Sequence, residues 1–352
     1  MALLECKNVK IIGLSACVPK NIERVSDYSM FSAEEVEKFS SYTGVFERRL
    51  VPEGMTSSDL CYEAAEKLIN KLSWDRKNID ILVYVSQTRD YIIPSTSCIL
   101  QDRLQLSTNC YTVDVPYGCS GYVYGLSIIA SLMSGGCMKK GLLLVGDAVH
   151  VNHNYEDKSS YPLFGDAGTV TALEFEEGEE GFKFHFGTDG AGYDAIIIPD
   201  GGYRNRFSMD SLKLVDYKEE GKRRNIDAYL NGMDVFTFGI SRPPESIKEL
   251  TANFDIDLSD LDYFVMHQAN KFMNEKIRKK LKIEENKTLY SLREFGNTSC
   301  ASIPLTMLTQ VKEELETKNN VKFLNCGFGI GLSWASAYYK TSKIVCTDLI
   351  EI

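Results

Sequence analysis

Cys119, which follows the turn Pro116-Tyr117-Gly118, is the first candidate for a reactive side chain. Residues 111–115 read as a short buried strand, and residues 120–133 are small or apolar with apolar side chains at helical spacing. Where a strand turns into a helix, free N–H groups and the helix dipole stabilise a thiolate and can hold an oxyanion. The setting predicts acyl transfer through a thioester, although a free cysteine can equally be a packed core residue.

The elements that must position Cys119 alternate between strands and helices. Before it come predicted strands at 9–18 and 79–86 and predicted helices at 56–69 and 95–104. After it come a fully buried strand at 141–146 and a further strand at 169–175. This alternation is typical of a mostly parallel, layered α/β fold.

The second half of the chain repeats this order, which indicates an internal duplication. The segment 261–270 resembles 79–88, the predicted strand, turn and helix from 288 onward match the Cys119 unit, and 321–325 matches 141–146. We therefore predict two halves, residues 1–178 and 179–352. Residues 200–228 are polar and Gly-rich and are predicted to be an excursion from the core.

Corresponding strand ends of a duplicated fold lie near one another, so residues from both halves can converge on one site. His267 ends the second-half strand that matches 79–86, and Asn297 lies in the turn that matches the Cys119 turn. Taken alone, His267 could be a core histidine and Asn297 a turn residue. We predict that these two side chains and Cys119 form one site.

Composition and charge exclude several other classes of protein. The net charge of −10 argues against a general nucleic-acid binder, and the hydrophobic content of 44% suits a globular core. The ten cysteines include no C-x-x-C pair, which disfavours a zinc ribbon and fits a reducing compartment. His150 and His153 lack a third ligand nearby, so no metal is expected. Because no signal peptide or membrane span is recognisable, we expect a soluble cytoplasmic protein.

Three motifs together closely resemble the β-ketoacyl-acyl carrier protein synthase III family of the thiolase superfamily. They are Gly118-Cys119-Ser120-Gly121, His267-Gln268-Ala269-Asn270 and Gly296-Asn297-Thr298-Ser299, and segments 93–96, 164–168 and 327–334 also look like family landmarks. The resemblance covers nearly the whole chain. It implies a thiolase-like fold in which two pseudo-symmetric halves form a layered αβαβα architecture.

The resemblance implies a decarboxylative Claisen condensation as the activity. Cys119 takes an acyl group from a thioester, and His267 and Asn297 stabilise the enolate formed from malonyl-acyl carrier protein as CO₂ leaves. The enolate carbon attacks the acyl-cysteine to give a 3-oxoacyl-acyl carrier protein, in fatty acid or specialised acyl-chain biosynthesis. The backbone N–H groups of Cys119 and Gly331 are expected to form the oxyanion hole.

The resemblance also implies substrate-binding residues and partners. Asn270, Phe328, Gly329 and Ile93 are expected to bind substrate, with the loop around Ile93 closing the acyl pocket of the partner in a homodimer. The basic segment 271–282, beside the predicted site, suits docking of an acidic carrier protein. The residues expected to contact the carrier protein are Gln268, Lys271, Phe272, Arg278 and Lys279. The substrates are acyl-CoA or acyl-carrier-protein thioesters, and no cofactor is expected.

Four positions depart from the family members that use coenzyme A donors. Those members hold the nucleotide with Trp and Arg residues, where this chain has Lys38, Tyr42, Lys158 and Phe272. Arg and Lys are not interchangeable in phosphate or stacking contacts. We therefore expect a donor other than acetyl-CoA, either an acyl group on carrier protein or an unusual coenzyme A ester.

Alternative functions use the same residues. One is transfer of the Cys119 acyl group to an oxygen or nitrogen nucleophile without decarboxylation. Another is a non-catalytic partner subunit of a condensing pair, which the intact Cys119, His267 and Asn297 disfavour. A 3-hydroxy-3-methylglutaryl-CoA synthase is disfavoured because residues 86–90 contain no Glu. Cys326 is expected to be structural, and Asp166 to organise a turn.

Overall fold

The computed structural model describes residues 2–352. Its α-helices are α1 (Ala33–Thr43), α2 (Ser57–Lys71), α3 (Thr96–Arg103), α4 (Gly121–Met133), α5 (Gly232–Phe254), α6 (Lys271–Leu281), α7 (Leu292–Phe295) and α8 (Ser302–Thr317). Its strands are β1 (Ala2–Cys6), β2 (Val9–Val18), β3 (Ile22–Arg24), β4 (Glu47–Arg49), β5 (Ile81–Val85), β6 (Tyr111–Val115), β7 (Lys140–Asp147), β8 (Ala167–Phe175), β9 (Phe182–Thr188), β10 (Ile196–Ile197), β11 (Val215–Asp216), β12 (Lys222–Arg223), β13 (Tyr229–Leu230), β14 (Tyr263–Met266), β15 (Val321–Gly329), β16 (Ser333–Thr341), β17 (Val345–Cys346) and β18 (Ile350–Glu351).

The larger sheet has the strand order β17–β2–β8–β7–β5–β6, and β18 also pairs with β2. Within it, β5 is parallel to β6 and β7, whereas β8 is antiparallel to β7 and β2. Strand β5 is buried along its whole length, with Val83 and Val85 packed on one face and Leu82 and Tyr84 on the other. Its uninterrupted apolar sequence therefore reflects a sheet that is covered on both faces.

The smaller sheet has the order β1–β9–β16–β15–β14. Strand β14 is parallel to β15, which is antiparallel to β16, which in turn is antiparallel to β9. The series β14–β15–β16–β9 thus repeats the pairings of β5–β7–β8–β2. The predicted boundary between residues 178 and 179 falls between β8 and β9 and stays a prediction.

The helices form three layers around these two sheets. Helices α4 and α8 lie between the sheets, where Leu126, Ile129 and Leu308 share one core with residues of both. Helices α2 and α3 cover the outer face of the larger sheet, and α5 and α6 cover that of the smaller one. The predicted layered αβαβα architecture is therefore confirmed.

The predicted strand beginning at residue 288 is wrong for most of its length. Thr288 makes a single parallel bridge to Phe264, and α7 begins at Leu292. Between them the side chain of Gln268 takes the place of a strand partner. Its Nε2 donates to the Leu289 carbonyl over 3.3 Å, and its Oε1 accepts from the Ser291 N–H over 3.1 Å.

Residues 200–228 lie between β9 and α5 and are mostly exposed, as predicted for an excursion from the core. They contain the strand pair β11 with β12, and the paired strands β10 and β13 lie on either side of them along the chain. Arg223 of β12 makes a buried ion pair with Asp157 at 3.2 Å, which holds the excursion against the loop after β7. Within residues 2–352, no helix is both long and apolar enough to cross a membrane.

Candidate active site

A cavity of about 560 Å³ lies where β14 and β15 end and the turn before α4 begins. Cys119, His267 and Asn297 all line it, so the structure brings the three predicted residues together. Most of the remaining wall is apolar, with side chains such as Leu163, Phe164, Ile196, Phe238 and Met273. A mostly apolar cavity with a few convergent polar groups is typical of a small-molecule site.

Cys119 lies two residues before α4 begins at Gly121, at the junction predicted from the sequence. Its side chain is buried, and burial raises the pKa of the thiol to about 12, with the nearby Asp147 carboxylate adding to the rise. The Ser299 hydroxyl and the N–H groups of Ile330 and of Cys119 itself act against this rise. The cysteine therefore rests as a thiol and loses its proton as it reacts.

The end of β15 packs directly against the cysteine. An added Cβ at Gly329 would lie 2.6 Å from Cys119 Cβ and 2.9 Å from its sulfur, so a side chain there has no room. The next residue, Ile330, is the one whose backbone N–H approaches the sulfur and lines the cavity. Gly331 does not line the cavity, and its expected part in an oxyanion hole stays a prediction.

His267 is the residue immediately after β14, and its main-chain N–H donates to the Cys326 carbonyl over 2.8 Å. Burial lowers the pKa of the imidazole to about 3, so the ring is neutral near pH 7. Its Nδ1 lies 2.9 Å from the Ser302 hydroxyl and 3.2 Å from the Ser299 carbonyl oxygen. These contacts occupy Nδ1 and leave Nε2 as the nitrogen available for a ligand.

Asn297 follows Gly296, whose φ of +63° forms the turn that links α7 to the residues before α8. Its Oδ1 accepts the N–H of Ser299 over 2.9 Å. Because the oxygen is occupied, the NH₂ group of the carboxamide is left as a donor for the cavity. Sequence reasoning missed Ser299 and Ser302 as neighbours of these side chains, although both lie within five residues of Asn297.

The predicted substrate-binding residues divide into two groups. Asn270, Phe328 and Gly329 line the cavity with the three central residues. Asn270 also caps α6, because its Oδ1 accepts the Met273 N–H over 2.8 Å. Ile93 does not line the cavity of its own chain and is 80% exposed at a loop tip. Its expected role in a partner's pocket stays a prediction.

Two of the predicted docking residues make hydrogen bonds within the chain. Gln268 is fully buried and bonded to the main chain at Met266, Leu289 and Ser291, so it cannot contact a carrier protein. Arg278 is paired with Glu275 in the same helix and donates to the Ile283 carbonyl, and its expected contact with a carrier protein stays a prediction. The docking prediction was based on the family resemblance and on the positive charge of segment 271–282, and neither shows which side chains are held within the chain.

Lys271, Phe272 and Lys279 are exposed, as a docking surface requires. Lys271 and Phe272 line a groove beside the cavity together with Lys38 and Tyr42. In this groove the rings of Tyr42 and Phe272 stack with centroids 4.6 Å apart. The ring of Phe236, which lines the cavity, also stacks with that of Phe272, with centroids 5.8 Å apart. The departures at positions 42 and 272 thus form one aromatic stack at the mouth.

The remaining residues singled out in the sequence make contacts within the fold. Asp166 accepts the Val51 N–H over 2.9 Å and binds the ring of His150, which fits the predicted role in organising a turn. His153 stacks on Phe164 in the cavity wall. Cys326 is fully buried and accepts the Ser336 hydroxyl at 3.4 Å. Among the side chains that the structure describes, no three from His, Cys, Asp or Glu are grouped to hold a metal ion.

Comparison with known proteins gives the same family on sequence and on structure. The model of 3-oxoacyl-[acyl-carrier-protein (ACP)] synthase III matches residues 113–190, and the model of its C-terminal part matches residues 251–341. A β-ketoacyl-[acyl-carrier-protein] synthase III from Clostridium perfringens is 31% identical over 337 residues, which are 95% of this chain and 99% of the relative. The chain belongs to the 3-oxoacyl-[acyl-carrier-protein] synthase III family.

Solved structures agree with this assignment. A 3-oxoacyl-(acyl-carrier protein) synthase from Burkholderia xenovorans superimposes with a TM-score of 0.93 at 34% identity, covering 99% of each chain. A 3-oxoacyl-(acyl carrier protein) synthase III from Pseudomonas aeruginosa superimposes with a TM-score of 0.82 at 25% identity, covering 96% of this chain and 100% of that one. The resemblance stated from the motifs is confirmed, and so is the thiolase-like fold. As a synthase III family member, the protein is an enzyme, a transferase of the condensing type.

Proposed function

We propose that this protein catalyses a decarboxylative Claisen condensation between an acyl group carried on Cys119 and malonyl-acyl carrier protein. The observation that carries the proposal is that one apolar cavity contains a buried thiol, a neutral imidazole and a carboxamide with a free NH₂ group. Family membership supports the same reaction. The product is a 3-oxoacyl-acyl carrier protein, formed in fatty acid or specialised acyl-chain biosynthesis.

In the first half-reaction the Cys119 sulfur attacks the carbonyl carbon of an acyl thioester. The bond from that carbon to the donor sulfur breaks, and the leaving thiolate takes up the proton that Cys119 loses. The N–H groups of Cys119 and Ile330 lie against the sulfur and are the donors best placed for the oxyanion. The apolar wall holds the acyl chain and excludes water, which would otherwise hydrolyse the acyl-cysteine.

In the second half-reaction a malonyl thioester loses CO₂, and the electron pair of the broken C–C bond enters an enolate. Negative charge develops on the thioester oxygen, where His267 and Asn297 each supply a neutral hydrogen-bond donor. Neutral donors suit this step because neither forms a competing ion pair with the carboxylate that must leave. The enolate carbon attacks the acyl carbon, the bond to Cys119 breaks, and one proton is taken from solvent to restore the thiol.

We further propose that the acyl donor reaches the site on a carrier protein. Three of the positions that depart from the members using coenzyme A donors are engaged within the chain. Tyr42 and Phe272 stack with Phe236 at the mouth of the cavity, and the Lys158 ammonium is paired with Glu35 at 3.0 Å. Five exposed lysines on or next to α6 give this side of the mouth a positive charge that suits an acidic carrier protein. They are Lys271, Lys276, Lys279, Lys280 and Lys282.

A homodimer and a cytoplasmic location complete the proposal. The loop tip at Tyr91, Ile92 and Ile93 is apolar and 61%, 63% and 80% exposed, which suits a surface that a second subunit covers. Within residues 2–352 all ten cysteines are free, which suits a reducing compartment. Analytical ultracentrifugation would test the homodimer by measuring the mass of the protein in solution.

Intact-protein mass spectrometry tests the reaction itself. Wild-type protein and Cys119→Ala are incubated with matched panels of acyl-CoA and acyl-carrier-protein donors. We expect a mass gain equal to one acyl group from carrier-protein donors, absent in Cys119→Ala and lost again when malonyl-acyl carrier protein is added. An adduct that persists in Cys119→Ala, or one that malonyl-acyl carrier protein cannot discharge, would contradict the proposal.

A further inference from the structure

The condensation proposed above requires a hydrogen atom on one particular nitrogen of His267. A neutral imidazole carries one proton, on Nδ1 or on Nε2, and only Nε2 is left facing a ligand. If the proton is on Nδ1, Nε2 is an acceptor and repels the enolate oxygen. If it is on Nε2, the ring can donate to that oxygen. The activity therefore depends on what selects the tautomer.

Two groups contact Nδ1, and they favour opposite tautomers. The Ser299 carbonyl oxygen, at 3.2 Å, only accepts and therefore favours Nδ1–H. The Ser302 hydroxyl, at 2.9 Å, can either donate or accept. When it donates to Nδ1, the ring must carry its proton on Nε2. The shorter contact is thus the one that can produce the tautomer that the condensation needs.

The surroundings of Ser302 leave its hydroxyl proton available for donation. The main-chain N–H of Gln268 donates to the Ser302 oxygen over 3.3 Å, which occupies a lone pair and leaves the hydroxyl proton to be given to a neighbour. Two acceptors compete for that proton, Nδ1 at 2.9 Å and the Ser299 carbonyl at 2.7 Å, and only donation to Nδ1 keeps the ring proton on Nε2. Ser302 is fully buried at the first turn of α8, so water does not compete for these positions.

We propose that Ser302 is a positioning residue that selects the Nε2–H tautomer of His267 by donating a hydrogen bond to Nδ1. This inference rests on the proposed condensation. It assigns Ser302 to the decarboxylation and not to the acylation of Cys119, because acylation requires no donor on Nε2. Without the hydroxyl, Nδ1–H would donate to the Ser299 carbonyl and Nε2 would become an acceptor.

The experiment compares Ser302→Ala, Ser302→Thr and the matched control Ser15→Ala. Ser15 lies in β2 of the larger sheet and is also fully buried, and its hydroxyl is hydrogen-bonded to the Thr347 hydroxyl at 2.8 Å. For each variant the rate of Cys119 acylation is measured by mass spectrometry, and CO₂ release is measured from malonyl-acyl carrier protein. We expect Ser302→Ala to lower CO₂ release at least tenfold and acylation less than threefold. Ser302→Thr, which keeps a hydroxyl, should restore most of the CO₂ release, and Ser15→Ala should change neither rate.

Nitrogen-15 NMR of histidine-labelled protein reads the tautomer directly and does not depend on turnover. The chain has four histidines, and His267→Ala assigns the signal. We expect the Nε2–H form in the wild type and the Nδ1–H form in Ser302→Ala. An unchanged tautomer, or equal losses of acylation and CO₂ release, would overturn the inference. Wild-type protein that shows the expected tautomers but no acylation or CO₂ release would instead refute the proposed condensation.

Discussion

The main-chain N–H of Ser299 donates to Oδ1 of Asn297 over 2.9 Å, and this bond orients the carboxamide in the cavity. The same residue presents its carbonyl oxygen to His267 Nδ1 at 3.2 Å. Ser299 has φ of +51°, a left-handed conformation that few non-glycine residues adopt. One unusually folded residue thus contacts both of the side chains that are proposed to stabilise the enolate.

We expect Asn297→Ala to abolish most of the condensation and leave acylation of Cys119 intact. The substitution removes one of two donors to the enolate oxygen, and loss of a single such donor costs about 10²–10³ in rate. CO₂ release from malonyl-acyl carrier protein and acyl transfer to Cys119 are measured separately. A parallel fall in both rates would show that Asn297 supports the fold of the site and not one step.

We expect Gly329→Ala to block acylation, because its methyl group would lie 2.9 Å from the Cys119 sulfur. Overpacking of this kind costs about 1–3 kcal/mol of stability, which urea unfolding would measure. Gly190→Ala is the matched control, since an added Cβ there meets no atom within 4 Å. Normal acylation by Gly329→Ala would contradict the close packing of β15 on the nucleophile.

The rate at which iodoacetamide alkylates Cys119 should keep rising as the pH is increased from 7 to 10. The reagent attacks the thiolate, and burial raises the pKa of Cys119 to about 12, so the thiolate fraction keeps growing over this range. A small free thiol levels off above its pKa of about 8.5 and serves as the reference. Peptide mass spectrometry follows the Cys119 peptide. A plateau below pH 8 would show that the helix N-terminus outweighs burial.

The rate of CO₂ release should not follow a histidine titration between pH 5 and 8. Burial lowers the pKa of His267 to about 3, so the neutral form persists at pH values well below 6.5. A histidine with an ordinary pKa of about 6.5 would be neutral in only about 3% of molecules at pH 5. Cys119→Ala supplied with malonyl-acyl carrier protein isolates this step from the cysteine. A roughly thirtyfold fall in rate between pH 8 and 5 would contradict a buried, neutral ring.

Charge reversal at Lys276 and Lys279 should raise KM for carrier-protein substrates about tenfold and leave kcat unchanged, because it weakens electrostatic encounter. Both side chains are exposed on α6. KM for a malonyl thioester of a small thiol should not change. Lys139→Glu is the control, because Lys139 is exposed and lies just before β7, at the end of that strand far from the cavity. An unchanged KM for the carrier protein would refute docking at α6.

The alternation of strands and helices in the first half, its partial repeat in the second half and the three central cavity residues were all predictable from the sequence, whereas α5, β9 and β16 were not predicted. Apolar runs such as 81–85, the repeated strand and helix order, and the motifs around Cys119, His267 and Asn297 are local signals. They depend on neighbours along the chain, so they can be read without coordinates. The duplication then implied that strand ends from both halves meet, and the shared cavity agrees with this.

Tertiary packing sets which groups face the site and which are hydrogen-bonded elsewhere. It buried Gln268 against 289–291 and placed Ile330, but not Gly331, in the cavity wall. It also placed the Ser302 hydroxyl on His267 Nδ1. These outcomes depend on distances of about 3 Å between residues that are separated in the chain or on the direction of a single N–H group. Such directions arise when the layers pack, and a pattern of residue types does not contain them.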